Sequence, residues 1–147
     1  TRYIGDWSSD VCSSDLEFKM TPDMEGCEEV LDMIKDYYGN VNHVVFISFG
    51  REILQQMKTL KEKYGYTYRI CRLTQYVEQV KEALEDEMGI DQQYNLLTLE
   101  MVKMIKEHHH PIIVWTVNDI KEVEKMKKMG VDSITTDFID CDPKYVK

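Results

Sequence analysis

The arrangement that most constrains this chain is an alternation of strand-sized apolar runs with amphipathic stretches of helical length. Residues 16–20, 43–49, 66–73, 111–117 and 131–136 read as strands. The run at 43–49 is almost wholly apolar, the pattern of a strand buried on both faces. Helices are expected at 25–38, 51–64, 75–88 and 98–109, and a fifth runs from Asp119 to a stop at Gly130. In the second helix Ile53, Leu54, Met57 and Leu60 recur at helical spacing. Gly39, Gly65 and Gly89 stand where helices should stop, and Thr98 can cap the fourth. Asp119 and Glu122 have capping-box spacing for the fifth. Residues 90–97 read as a connector. Parallel strands need crossover connections, so about five strands alternating with about five helices mean a parallel α/β sheet. Periodicity allows a doubly wound sheet or a barrel. A whole eight-stranded barrel takes about 250 residues, so a chain of this length corresponds to roughly half of one.

Composition narrows the partners. The chain has 147 residues, 43% hydrophobic and 31% charged, which fits one folded domain and excludes a disordered one. Its net charge is −9, which argues against a nucleic-acid partner, since a polyanion needs a basic face. No apolar run approaches the roughly 18 residues of a membrane span, so no membrane segment is expected within it. Cys12, Cys27, Cys71 and Cys141 are scattered without a CxxC pair, which suits free thiols in a reducing compartment and hence a cytoplasmic location.

Three clusters carry chemistry. In Glu17-Phe18-Lys19, strand alternation puts the acid and the base on one face and Phe18 on the other. A carboxylate there can hold a hard cation, and an ammonium can meet phosphate oxygens; a surface ion pair is the plainer alternative. Trp115-Thr116-Val117-Asn118-Asp119 lies where a buried strand hands over to a helix, the edge at which α/β folds bind ligands. The indole can wall a pocket and Asn118 can hydrogen-bond a ligand oxygen, or the two can be core and cap. The run from Gly130 to Asp137 is a helix stop and a strand with an acid at its end. His108, His109 and His110 point in directions about 100° apart at a helix C-terminus and cannot all reach one ion. His43 starts a strand, at the end away from such a site.

Taken together and in order, LEFK, VVFISFG, LLTLEMVKMIKEHHHPIIVWTVND and MGVDSITTDF resemble the later half of glycerophosphodiester phosphodiesterases. The resemblance implies the C-terminal part, about strands 4 to 8, of a TIM-like (β/α)8 barrel. It implies metal-dependent hydrolysis of a small glycerophosphodiester to glycerol 3-phosphate and an alcohol, with Mg2+ or Ca2+ as the divalent cation. By the same resemblance Glu17 matches the metal-ligand glutamate of an E-x-K strand and Lys19 its phosphate-side lysine. Trp115 and Asn118 match pocket residues and Asp137 ends the last strand, so these three are expected with Lys19 to bind substrate; Ser48-Phe49 matches an SF pair, with Gly50 where an Asp is common.

The family's His-Arg-Gly motif, its Glu-x-Asp pair and its second histidine do not occur in this sequence. The expectation is therefore an intact protein that is an enzyme and a chain that, lacking the catalytic histidines, is itself inactive. Residues 1–16 show no helical or strand period and resemble a translated sequencing-library adapter, so a non-native segment 1–16 and a truncated phosphodiesterase domain 17–147 are expected. Such a truncation should leave an open barrel edge and a poorly soluble chain. The rival readings are a phospholipase-D-like barrel, a non-catalytic barrel that binds phosphodiesters or a partner, and a doubly wound response-regulator-like module.

Overall fold

The computed structural model describes residues 2–4 and 12–137, with side chains from residue 15 onward. After the short strand β1 (Arg2–Ile4) come β2 (Cys12–Glu17), α1 (Met24–Tyr38), β3 (Val44–Ser48) and α2 (Arg51–Tyr64). They are followed by β4 (Arg69–Thr74), α3 (Val77–Glu85), β5 (Gly89–Gln93), a 3-10 turn (Tyr94–Leu96), α4 (Leu99–Glu107), β6 (Ile112–Trp115), α5 (Ile120–Met129) and β7 (Ser133–Thr136). Strands β2 to β7 are parallel and adjacent in chain order, so the sheet curls as a half-barrel does and is not doubly wound. β1 pairs antiparallel with both β2 and β7 and closes the ring. The edges expected to lie open are thus paired.

Local chemistry accounts for the helix ends. Asp23 caps α1 by accepting the Gly26 amide at 2.8 Å, and Asp119 caps α5 by accepting from Lys121 and Glu122. Gly39, Gly65 and Gly130 each take the left-handed conformation that ends α1, α2 and α5. Gly89 does not. The left-handed residue after α3 is Glu87, at φ 55°, and Gly89 opens the next strand.

Two expected elements shift. The strand placed at 16–20 occupies Cys12–Glu17 instead. Its register is set by the apolar template of β3, with Leu16 opposite Phe46 and Glu17 opposite Ile47. Beyond Glu17 the Ser48 hydroxyl donates to the Phe18 carbonyl at 2.7 Å, and the ladder stops. The connector at 90–97 begins as strand β5, so the parallel run has six strands and not five. Asp and Gln are poor strand formers, but pairing on both sides by β4 and β6 overrides that preference. Thr74 donates to the buried Gln92 carboxamide at 2.8 Å, which removes the cost of placing it there.

The helices pack on the outer face of the sheet in two clusters. One joins α1 and α2 to β3 and β4 around Phe46 and Tyr68; the other joins α3, α4 and α5 to β5, β6 and β7 around Ile105, Ile112 and Ile134. A third cluster, Val45, Ile47, Cys71, Leu73 and Ile113 with Trp115 against it, fills the barrel interior. Cys27 and Cys71 are free and buried; the side chains of Cys12 and Cys141 lie outside the described residues.

Gly89 shows how closely the interior is filled. A Cβ there would stand 2.7 Å from Cys71 Sγ and 3.1 Å from the Ile70 carbonyl oxygen. Gly89→Ala is expected to cost about 1–3 kcal/mol by overpacking. Denaturant melts of Gly89→Ala with and without Cys71→Ala check this: the double variant should recover part of the loss. Equal losses in both would place the strain elsewhere.

Candidate active site at the strand C-termini

Register decides which side chains meet inside the ring. Asp15 and Glu17 face inward with Val45 and Ile47, and Ile47 lies opposite Cys71. Leu73, Asp91 and Ile113 form the next inward row, and Gln93 and Trp115 the row above it. Thr135 reaches the same interior and donates to Asp15 Oδ2 at 3.2 Å.

At the C-terminal ends of the strands these rows bound a cavity of about 410 Å3, lined by Asp15, Glu17, Phe49, Leu73, Trp115 and Thr135, among others. A smaller recess of about 210 Å3 beside it is shared by Glu17, Lys19, Ser48 and Phe49. Glu17 and Lys19 open on one recess, which Phe18 also lines while its ring stacks on Phe46 at 5.8 Å between centroids. The Phe49 ring stands edge-on to Trp115 at 5.7 Å. The indole N–H of Trp115 donates to the Asp91 carbonyl at 2.8 Å, which fixes the ring as a wall.

A larger cavity, about 580 Å3, lies at the opposite end of the barrel, lined by Lys58, Lys61, Arg69, Gly89 and Pro111. Barrel chemistry is carried by the loops after the strands, so the smaller cavity holds the candidate site despite its size.

Asn118 and Asp137 are brought together, but by bonding to each other. The Asn118 carboxamide donates to Asp137 Oδ2 at 3.1 Å and accepts from the Thr136 hydroxyl at 3.1 Å and the Asp137 amide at 3.0 Å. These bonds tie the loop after β6 to the end of β7 and so hold the Trp115 side of the mouth. His108, at the end of α4, bonds back to the Met104 carbonyl at 2.9 Å, which agrees with a solvated helix terminus.

A hard divalent cation takes six or more oxygens. Among the described residues there is no group of three or more side chains able to hold one. Glu17 is exposed on the recess and suits a single carboxylate ligand, and Asp15, on the same strand face, has an Oδ1 without a hydrogen-bond partner. These residues fit part of a cation shell.

Sequence reasoning missed Asp91, since it lay in a presumed connector. Its carboxylate is buried, Oδ1 has no hydrogen-bond partner, and its pKa stands well above the ordinary value, through burial first and then the charges of Asp15 and Glu17. Burial likewise raises Asp15 to about 6, against the pull of the Thr135 hydrogen bond. The signal in the sequence was the apolar Ile90 before it, with Gln92 and Gln93 beyond.

The sign of the pH effect follows. Both groups hold a proton more tightly folded than unfolded, so their contribution is fully present below pH 4 and is lost as pH rises through about 6 and beyond. Thermal melts should give a higher Tm at pH 5 than at pH 8. Asp91→Asn should raise the Tm at pH 8 and flatten the difference. A Tm that falls at pH 8 on this substitution would mean that the ionised carboxylate is satisfied in the fold.

Comparison with known proteins gives a consistent result. The family model described as the glycerophosphoryl diester phosphodiesterase family matches residues 10–141. The chain belongs to that family, a family of phosphoric diester hydrolases. Among solved structures, a phosphodiesterase of Oleispira antarctica, in complex with the product sn-glycerol-3-phosphate, matches with a TM-score of 0.71 at 18% identity. That match covers 91% of this chain and 55% of the other. A glycerophosphodiester phosphodiesterase of Parabacteroides distasonis matches with a TM-score of 0.68 at 26% identity, covering 88% of this chain and 54% of the other. One from Agrobacterium tumefaciens matches with a TM-score of 0.57 at 14% identity, covering 89% and 53%. The phosphodiesterase-family chain thus spans about half the length of these solved structures. No curated protein matches it by sequence.

Proposed function

We propose that the intact protein hydrolyses glycerophosphodiesters to glycerol 3-phosphate and an alcohol. The observation that carries this reading is the convergence of Glu17, Lys19, Phe49 and Trp115 on the mouth at the strand C-termini, in a chain of this family. The naming of sn-glycerol-3-phosphate as product in the Oleispira structure supports the product class.

In this reading Glu17 holds a divalent cation, Mg2+ or Ca2+. Such a cation, when bound, neutralises charge on the phosphate. Lys19, on the same recess, places its ammonium against a phosphate oxygen as negative charge builds. Phe49 and Trp115 wall off the carbon skeleton from water. Asn118 and Asp137, bonded to each other, hold the loop that follows Trp115 and so position it. Leaving-group protonation falls to a histidine outside this sequence, since none of its four reads as the acid or base. The chain alone is then inactive.

The part of the barrel it represents was expected to be strands 4 to 8. The six parallel strands support the coarser reading that the chain makes up a later part of such a barrel.

The test is release of glycerol 3-phosphate from glycerophosphoglycerol by the intact protein. EDTA should abolish it, and Mg2+ or Ca2+ should restore it. A protein that binds the diester without turnover would favour the non-catalytic barrel instead. Lys19→Ala should lower kcat/KM about 10–100-fold with the Tm unchanged, the scale of losing one charge-assisted phosphate contact. Unchanged kinetics would remove Lys19 from the phosphate site.

A further inference from the structure

The row of side chains that includes Trp115 continues around the mouth into a set of carboxamides that the proposed reaction does not use. Gln93 lies opposite Trp115 in the β5–β6 register and faces the same interior. Gln75 stands two residues beyond the cavity-lining Leu73, just past β4, and donates to Gln93 Oε1 at 2.7 Å. Gln93 Nε2 donates in turn to Asn95 Oδ1 at 2.8 Å.

The set is held from below and from the side. The buried Gln92 carboxamide accepts from Thr74 at 2.8 Å and donates to the Gln75 carbonyl at 2.9 Å. Gln79, in the first turn of α3, accepts the Gln75 and Tyr76 amides at 2.7 and 3.1 Å. Both loops that follow β4 and β5 are thereby fixed, so the rim amides are preorganised before any ligand arrives.

Their bonding capacity is not used up. A carboxamide offers two donors and two acceptor lone pairs. Gln75 Oε1 and Asn95 Nδ2 have no protein partner among the described residues, while Gln75 and Gln93 are half-buried. Neutral groups that both donate and accept suit hydroxyls, which do the same. A quaternary ammonium has neither an N–H nor an O–H to offer them.

We propose that Gln75, Gln93 and Asn95 read the alcohol moiety of the substrate, and that this moiety is an uncharged polyol. This rests on the phosphodiesterase reading and adds the substrate class to it. A polyol such as glycerol or inositol spans from the phosphate at Lys19, past Trp115, to the carboxamides.

The experiment compares kcat/KM of the intact protein on glycerophosphoglycerol, glycerophosphoinositol and glycerophosphocholine. The polyol esters should be preferred about tenfold or more, the direction expected of a site that hydrogen-bonds substrate hydroxyls. Gln93→Leu should erase most of that preference by lowering kcat/KM on the two polyol esters. Asn95→Ala, at the exposed end of the network, should reduce the preference in the same direction and keeps the test valid if Gln93→Leu fails to fold. Turnover with a preference for the choline ester, or a preference unmoved in the folded variants, would overturn the polyol assignment and leave the phosphodiesterase reading standing. No turnover of any of the three would overturn both.

Discussion

Replacing Glu17 by glutamine in the intact protein is expected to lower metal-dependent turnover by at least about 100-fold. Outer partners of metal ligands already cost 10–100-fold when lost, and a ligand should cost no less. Glutamine keeps the length and one oxygen of the side chain but removes the charge that a hard cation requires. The side chain is exposed on a recess at the end of β2, so the fold should not suffer. The measurement is activity against metal concentration: the variant should need far more Mg2+ or Ca2+ for half-maximal rate, with its melting temperature unchanged. A normal metal requirement would remove Glu17 from the cation site, whatever the protein's substrate.

Phe46→Ala is expected to be the most damaging single truncation in the core, at about 3–5 kcal/mol. Phe46 is fully buried at the centre of β3, with Phe18 stacked at 5.8 Å and Tyr68 edge-on at 4.8 Å. Tyr68 is fixed in turn by donating its hydroxyl to the Met57 carbonyl at 2.5 Å, which ties β4 to α2. A hole at Phe46 therefore loosens the strand that follows Glu17 and the helix behind it together. The melting temperature should fall on the order of 10 °C. Phe49→Ala, three residues on and 43% exposed, is the control and should shift it little. Similar losses for the two would mean that the mouth aromatics, and not the outer cluster, hold β3.

The alternation of apolar runs and amphipathic stretches was enough to read a parallel α/β sheet, and helix α2 falls on the expected residues. Its legibility came from a clean apolar stripe and a stop glycine, both local signals. Strand β5 was hidden because its acceptance of Asp91 and Gln92 depends on partners 17 or more residues away, Thr74 and Gln75 among them. The curl of the sheet was not legible in period or length, which are the same in barrels and doubly wound sheets; it was read from the family resemblance alone.

At the site, strand alternation was the ground for pairing Glu17 with Lys19, but β2 ends at Glu17, and the two share a recess that Phe18 also lines. Trp115 was legible by its place at a strand end. The mutual bonds of Asn118 and Asp137 were not, for nothing in a sequence says whether an amide will meet a ligand or a neighbouring loop. The carboxamide rim escaped for the same reason as β5: its members are near in space only once that strand is in register.

The most direct test of the central claim, that these residues form the later part of a phosphodiesterase site, sets the 147-residue chain beside the intact protein. Both are given glycerophosphoglycerol with Mg2+, and glycerol 3-phosphate is measured with and without EDTA. The account predicts EDTA-sensitive release by the intact protein and none above background by the chain alone. Equal release by both would contradict it, since the acid and base would then have to come from this chain.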